Sequence, residues 1–322
     1  MRIRRLIFGG LTPLVLLAVG ACVAHAQAIV PGTGHKMTIA GDDFEDPEWT
    51  YVPNNPKSSF DIDKQLRGPA GYSTNRRWRE NTDRGHPDVV RRVDTPEGGL
   101  EGSTGALLLA SKITGIPGKP SGKGEQDDLY MNIETRIGRY IPVSYGPSVT
   151  VRVYLQPFEE WEKKSGSSFA FRATCRGTKP DSKEETEPYW PGIFINHNPR
   201  PGKNGSPASL VIRAQNSGAD YTVLPIKESG WWTLGMSFSP DGMIHYYAHA
   251  GIDDLTASDR VASHRPYNFR TLYLIDCFFD VFGANNGQTW TTGWIIDDPA
   301  VYTTNIMPAM QARGRASIRP RR

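Results

Sequence analysis

The chain has 322 residues with 33 Gly, 25 Pro, 22% charged residues and a formal net charge of +3. That length holds one large β domain or two small ones, and the absence of heptads and of Ala/Leu/Glu/Lys runs excludes a helical bundle or coiled coil. The positive balance sits at the ends: without Arg2, Arg4 and Arg5 and without Arg313, Arg315, Arg319, Arg321 and Arg322, +3 becomes −5, and no basic stripe with interleaved aromatics marks a nucleic-acid binder.

The three N-terminal arginines precede an apolar stretch from Leu6 to Val19, broken by Gly9, Gly10 and Pro13. Ala24-His25-Ala26 then supplies the small-x-small pattern of a signal-peptidase site, which places cleavage before Gln27 and makes residues 1–26 a signal peptide. The stretch falls short of the roughly 20 apolar residues of a membrane span. Val19-Gly20-Ala21-Cys22 offers a rival, lipoprotein processing at Cys22. The expected location is therefore secreted or periplasmic. Residues 27–40 read as a linker, 41–305 as one domain, and 306–322 as a basic tail too polar to bury surface and so expected to be disordered.

Within the domain, Gly41–Tyr51 reads as an opening strand with Asp42-Asp43-Phe44-Glu45-Asp46. Residues 53–100 are polar, rich in Arg and Gly, and read as a long excursion with Trp78 as a possible anchor; loops of that length are commonly functional or poorly ordered. Gly105–Ser111 is a predicted strand, and 115–124 a loop. From Leu129 the strand signals become regular. Val149, Val151, Val153 and Leu155 alternate with Thr150, Arg152 and Tyr154. Phe169, Phe171 and Ala173 alternate with Ala170, Arg172 and Thr174. This period of two marks half-buried strands, one face to a core and one to water. Further strands follow at 192–197, 209–214, 221–226, 231–238, 244–249, 272–282 and 294–302, with a Pro240-Asp241-Gly242 hairpin turn. Many short strands with turn signals predict an all-β class, a two-sheet antiparallel sandwich. Cys175 and Cys277 remain after Cys22, a disulfide candidate in an oxidising compartment or else two buried thiols.

Two stretches carry a family resemblance. Gly230-Trp231-Trp232-Thr233-Leu234 through Ser239-Pro240-Asp241-Gly242-Met243-Ile244-His245-Tyr246-Tyr247 looks like a Trp-led strand, an Asp-Gly turn and an aromatic return strand. Trp294-Ile295-Ile296-Asp297-Asp298-Pro299-Ala300-Val301-Tyr302 looks like a closing strand. Together they resemble the concanavalin A-like lectin/glucanase superfamily, laminin-G-like jelly rolls included, over residues 41–303. The resemblance implies a jelly roll that binds carbohydrate, a polysaccharide or cell-wall glycan, with the closing strand beside the opening one. It also implies a structural calcium, for which Asp42, Asp43, Glu45, Asp297 and Asp298 are the matching positions; calcium takes six to eight oxygens.

The polar strand faces display Arg152, Tyr154, Arg172, His245, Tyr247 and His249 as a candidate sugar surface, with Trp78, Trp190 and Trp290 in loop-like segments as candidate rim. Aromatic rings offer apolar faces to sugar C–H groups and Arg a planar fork to hydroxyls or carboxylates. Against catalysis, the Glu-x-Asp-x-x-Glu strand of laminarinase-type relatives is missing. A lyase reading would use His197 and Tyr247 as base and proton donor, with an Arg strand at Ile133-Glu134-Thr135-Arg136, the Gln-x-His strand at Ile195-Asn196-His197, where the Gln is missing, and the Tyr strand at Tyr246-Tyr247-Ala248-His249-Ala250-Gly251. No His-Glu-x-x-His, Gly-x-Ser-x-Gly or Walker loop occurs, and Gly32-Thr33-Gly34 lacks the third glycine of a dinucleotide loop, so no cofactor beyond calcium is expected. Carbohydrate binding without catalysis is the first reading; a divergent polysaccharide lyase or glycoside hydrolase and a structural envelope protein are the others.

Overall fold

The computed structural model describes residues 28–180, 182, 186–201 and 205–307. The signal segment, Cys22 and the arginines of the tail lie outside the described residues, and no helix among those described is long and apolar enough to cross a membrane.

Two antiparallel sheets stack on one core. The first has eight strands, in the order Arg260–His264, Ile244–Ala250, Gly230–Phe238, Pro147–Leu155, Trp294–Thr303, Gly105–Ala110 and Val89–Asp94, with His35–Gly41 also paired to Trp294–Thr303. The second has eleven: Asp220–Ile226, Ala208–Arg213, Gly192–His197, Gly166–Thr178, Arg270–Gly283, Glu125–Met131, Trp78–Glu80, Tyr72–Ser73 and Tyr51–Val52, with Glu187–Tyr189 and Ile141–Pro142 alongside. The all-β, two-sheet class expected from the alternation is the class observed.

The alternation sets which face is buried. Along Gly166–Thr178, Phe169, Phe171, Ala173 and Cys175 join the main core, while Ala170 belongs to a separate apolar cluster with Phe194 and Val211. Side chains of successive strand residues point to opposite faces, so this second cluster lies on the outer face of the eleven-stranded sheet. Inside, Phe279 stacks against Phe169 and Phe171 at 5.8 and 5.3 Å between ring centroids.

Three expectations need correction. The strand beside the closing strand is His35–Gly41, not the acidic run after it, so the segment read as linker is part of the sheet; its alternation is weak because it is an edge strand with most residues exposed. The excursion 53–100 is ordered: two short strands, Tyr72–Ser73 and Trp78–Glu80, extend the eleven-stranded sheet next to Tyr51–Val52, and Val89–Asp94 edges the other. Cys175 and Cys277 are free, buried thiols rather than a disulfide. They lie on paired strands, but Cys277 faces Ala173 and a register shift sets Cys175 opposite Leu274.

Buried carboxylates, not apolar runs, hold the excursion in place. Asp42 Oδ2 accepts from Trp49 Nε1 at 3.0 Å, Trp78 Nε1 at 2.8 Å and Asn75 Nδ2 at 2.8 Å. Glu80 accepts from Ser58 N, Gly71 N and Asn54 Nδ2. Lys57 Nζ, itself buried, donates to Asp127 at 2.5 Å and Asp88 at 2.8 Å. Each carboxylate satisfies donors that would otherwise be buried without partners. Trp78, the suggested anchor, is wholly buried and stacks on Phe44.

Candidate functional site

The outer face of the eleven-stranded sheet carries a groove of about 300 Å³. Its floor comes from facing positions on neighbouring strands: Tyr130 pairs with Phe278 and Asp128 with Asp280 across Glu125–Met131 and Arg270–Gly283, and Arg172 pairs with Phe278 on the other side. Tyr130 and Phe278 stack at 4.5 Å with planes 8° apart. The Arg172 guanidinium lies 5.0 Å from the Phe278 ring centre and 5.5 Å from that of Phe194; Arg213 covers Phe194 at 4.7 Å. Trp190 stands at the rim, 40% exposed.

Charge in the groove is balanced locally. Arg172 pairs with Asp280 at 3.1 Å, Arg213 with Asp220 at 2.8 Å, and Arg84 with Asp61 at 3.1 Å and Glu125 at 3.4 Å. Burial, and then the Asp280 carboxylate beside it, push the Asp128 carboxyl well above the usual range; burial raises Asp280 too, against the pull of Arg172. Asp280 Oδ1 has no donor among the described residues' N–H and O–H groups. Like charges on facing strand positions ionise together only at a cost, which, added to burial, holds the pair towards the neutral form. Arg172 Nε, also buried, has no acceptor among the described residues. The groove therefore offers no unpaired arginine, and Asp83 adds a further carboxylate to its lining; Trp190 is its exposed ring, Tyr130 and Phe278 being buried beneath arginines, and Asn81 and Gln126 line it and donate to Asp128 at 2.7 and 2.9 Å.

The residues expected to form a sugar surface are divided between the sheets. Arg172 lies in the groove. Arg152, Tyr154, His245, Tyr247 and His249 belong to the eight-stranded sheet. There Arg152 pairs with Asp254 and Asp298, Tyr154 packs on Trp231, and His249 pairs with Asp259. His245 is held between Ser239 and Ser263, with burial lowering its pKa, and Tyr247 is buried. His197 is on the eleven-stranded sheet, but its ring packs at a tilt against Trp161, 5.0 Å between centres, and meets the Glu162 carbonyl. His197, Tyr247 and Arg152 thus do not converge. Trp190 lines the groove, while Trp290 lines a different cavity beside Lys57 and His86.

The five acidic positions matched to calcium are engaged with protein donors. Asp42 serves the two tryptophans, and its Oδ1 takes Phe44 N. Glu45 accepts from Thr104 N and Oγ1, Asp298 pairs with Lys36 and Arg152, and Asp43 accepts Glu45 N. Asp297 accepts from Ser103 Oγ and Asp298 N. Among the described residues no three His, Cys, Asp or Glu side chains are grouped to hold a metal.

Burial raises the Asp297 carboxyl to about 6. An Asp raised on folding takes up a proton as the chain folds, so its contribution is present in acid and is lost as pH rises from about 4 through about 6. Asp297→Asn is expected to remove about 1–2 kcal/mol of that decline, discounted for partial solvation. Urea unfolding of both proteins at pH 4 and pH 7 reads it; parallel pH dependences would contradict it.

The residues missed from sequence, Tyr130, Asp128, Phe194, Arg213, Phe278 and Asp280, did leave a signal. Asp276, Phe278, Asp280 and Phe282 alternate with Cys277, Phe279 and Val281, and only the second set joins the main core.

Fold and groove together define the class: a two-sheet antiparallel β-sandwich with an aromatic and polar groove on one outer sheet face. No family model matches the chain, and no curated protein matches it. Among solved structures, it is similar to a carbohydrate esterase from the Shiga toxin-encoding bacteriophage phi24B, at TM-score 0.45 and 9% identity, covering 84% of this chain and 100% of that one. An alginate lyase in complex with dimannuronate is similar at TM-score 0.38 and 7% identity, over 63% of this chain and 76% of that one. A carbohydrate-binding module of Caldicellulosiruptor saccharolyticus in complex with mannohexaose is similar at TM-score 0.31 and 15% identity, over 68% and 85%.

Proposed function

We propose that this chain is an exported carbohydrate-binding protein whose groove on the eleven-stranded sheet takes a hydroxyl-rich, largely uncharged stretch of a glycan. The carrying observation is the combination of Trp190 exposed at the rim, a polar groove lining and an arginine set already neutralised by carboxylates. Aromatic faces suit sugar C–H groups. Paired Arg and Asp side chains present fixed donors and acceptors to hydroxyls, while adding no net field to draw an anion. The N-terminal leader pattern supports export.

A glycan array probed with the full chain tests this. Retention of neutral oligosaccharides, with no new reducing ends or unsaturated products in solution, is the expected result; an array with no retained glycan overturns it.

The placement of Asp128 in the groove lining opposite Asp280, with its carboxyl held towards the neutral form, favours a second reading, in which Asp128 donates a proton to a bound glycan. Product release by the wild type, abolished in Asp128→Asn while array binding persists, would establish catalysis. The His197–Tyr247 pairing has no part in it, since the two side chains lie on different sheets.

A further inference from the structure

A second cavity, of about 570 Å³, adjoins the groove along the same sheet. Arg79 joins the two: it lines the second cavity while its guanidinium lies 4.5 Å from the ring centre of Tyr130, which lines the first. The electrostatics change across that boundary. In the groove every lining arginine faces a carboxylate; in the second cavity Arg76, Arg79 and Arg136 contribute to a lining without Asp or Glu. Arg79 is paired with Asp276, but Arg76 and Arg136 have no carboxylate partner among the described residues.

The cavity is also built. Arg76 lies over the Tyr72 ring, 3.5 Å from its centre, and its backbone sits at φ 62°, a left-handed conformation that a non-glycine residue adopts at a cost. Asn132 Nδ2 donates to the Arg76 carbonyl at 3.1 Å and helps hold it there. Arg136 is tied through Nε to the Ile39 carbonyl at 3.2 Å, which leaves its terminal nitrogens for another acceptor. Asn132 lines the cavity as well, only 8% exposed, and its buried Oδ1 has no donor among the described residues. An anion alone would satisfy the arginines and leave this acceptor bare. A ligand that carries a negative group and a neighbouring hydroxyl would satisfy both, and an apolar ring face would cover Tyr72 and Ile39.

We propose that this cavity is an acidic-sugar subsite: Arg76 and Arg136 hold the carboxylate or sulfate of one glycan residue, and Asn132 Oδ1 accepts one of its hydroxyls. The proposal rests on the glycan reading of the groove and extends it. The ligand becomes a polymer in which an acidic unit follows neutral ones, and Arg79 spans the junction.

The test compares the full chain with the double variant Arg76→Gln/Arg136→Gln by isothermal titration at 50 and 200 mM NaCl. The titrants are a hexauronate, a sulfated oligosaccharide, inorganic sulfate and a neutral hexasaccharide retained on the array. The expected result is wild-type binding of the hexauronate or the sulfated oligosaccharide that weakens with salt, and a loss of about tenfold or more in the double variant. Whichever binds names the anionic group; affinity for the neutral hexasaccharide stays unchanged. Acidic glycans bound equally by both proteins, or bound by neither while the neutral one binds, overturn the subsite and leave the groove standing. Sulfate binding lost in the double variant, with no neutral glycan bound by either protein, upholds the anion site and sinks the groove instead. Failure of every titrant overturns both. A melting temperature shared by the two proteins excludes misfolding as the cause.

Discussion

Trp190→Ala is expected to weaken glycan binding by about 10- to 100-fold, or about 1.4–2.8 kcal/mol, with no measurable change in unfolding midpoint. The indole stands at the groove rim, 40% exposed, beside a floor of Tyr130, Phe278 and Arg172. It belongs to neither apolar cluster, so removing it opens no core cavity. Its backbone carbonyl, which alanine retains, accepts from Arg172 NH2 at 3.0 Å and keeps that guanidinium in place. What is lost is flat apolar area against the sugar. Titration of the retained glycan against both proteins, with urea unfolding in parallel, checks this. Equal affinities would remove the groove from the binding surface.

Lys57→Met should have the largest effect on stability, about 3–5 kcal/mol, the usual penalty for stranding a buried charge. Lys57 Nζ bridges Asp127, wholly buried on its strand, and Asp88, which keeps partial access to water. Without the ammonium, Asp127 retains only Ser111 Oγ, at 2.6 Å, and Gly115 N, at 3.2 Å. Burial already raises Asp127 to about 6 with the lysine present, and its removal raises it further. Protonation then relieves the penalty, so the cost is greatest near pH 7 and shrinks as pH falls towards 5, where the neutral carboxyl is the folded form. Lys57→Met/Asp127→Leu should recover most of the loss, because both halves of the pair are gone. A single variant as stable as wild type at pH 7, or one that worsens in acid, would contradict this account of the excursion.

The excursion is where sequence reading was weakest. Strands 147–155, 166–178 and 230–250 announced themselves because one face is packed with Val, Phe and Leu and the other is polar. Residues 53–100 gave no such pattern, since their folding depends on Asp42, Glu80 and Asp127 meeting donors distant in the chain: Trp78 Nε1 reaches Asp42 across 36 positions and Lys57 reaches Asp127 across 70. Such pairing has no period to read. The site was half legible for a related reason. Alternation separated Arg152, Tyr154, Arg172, His245 and Tyr247 from the core face correctly, but it does not tell which of two sheets a strand joins. Arg172 fell in the groove and the other four on the opposite sheet. Asp297 and Asp298 were conspicuous as neighbouring acids, yet Lys36, Arg152 and Ser103, which engage them, come from three separate segments.

The location of the groove is tested most directly by hydrogen exchange of the full chain, with and without a saturating retained glycan. Binding on the outer face of the eleven-stranded sheet predicts slowed exchange in peptides covering 125–131, 170–176, 188–194 and 276–282, with 147–155 and 244–250 unchanged. Slowing confined to 147–155 and 244–250 would place the glycan on the other sheet and contradict the account.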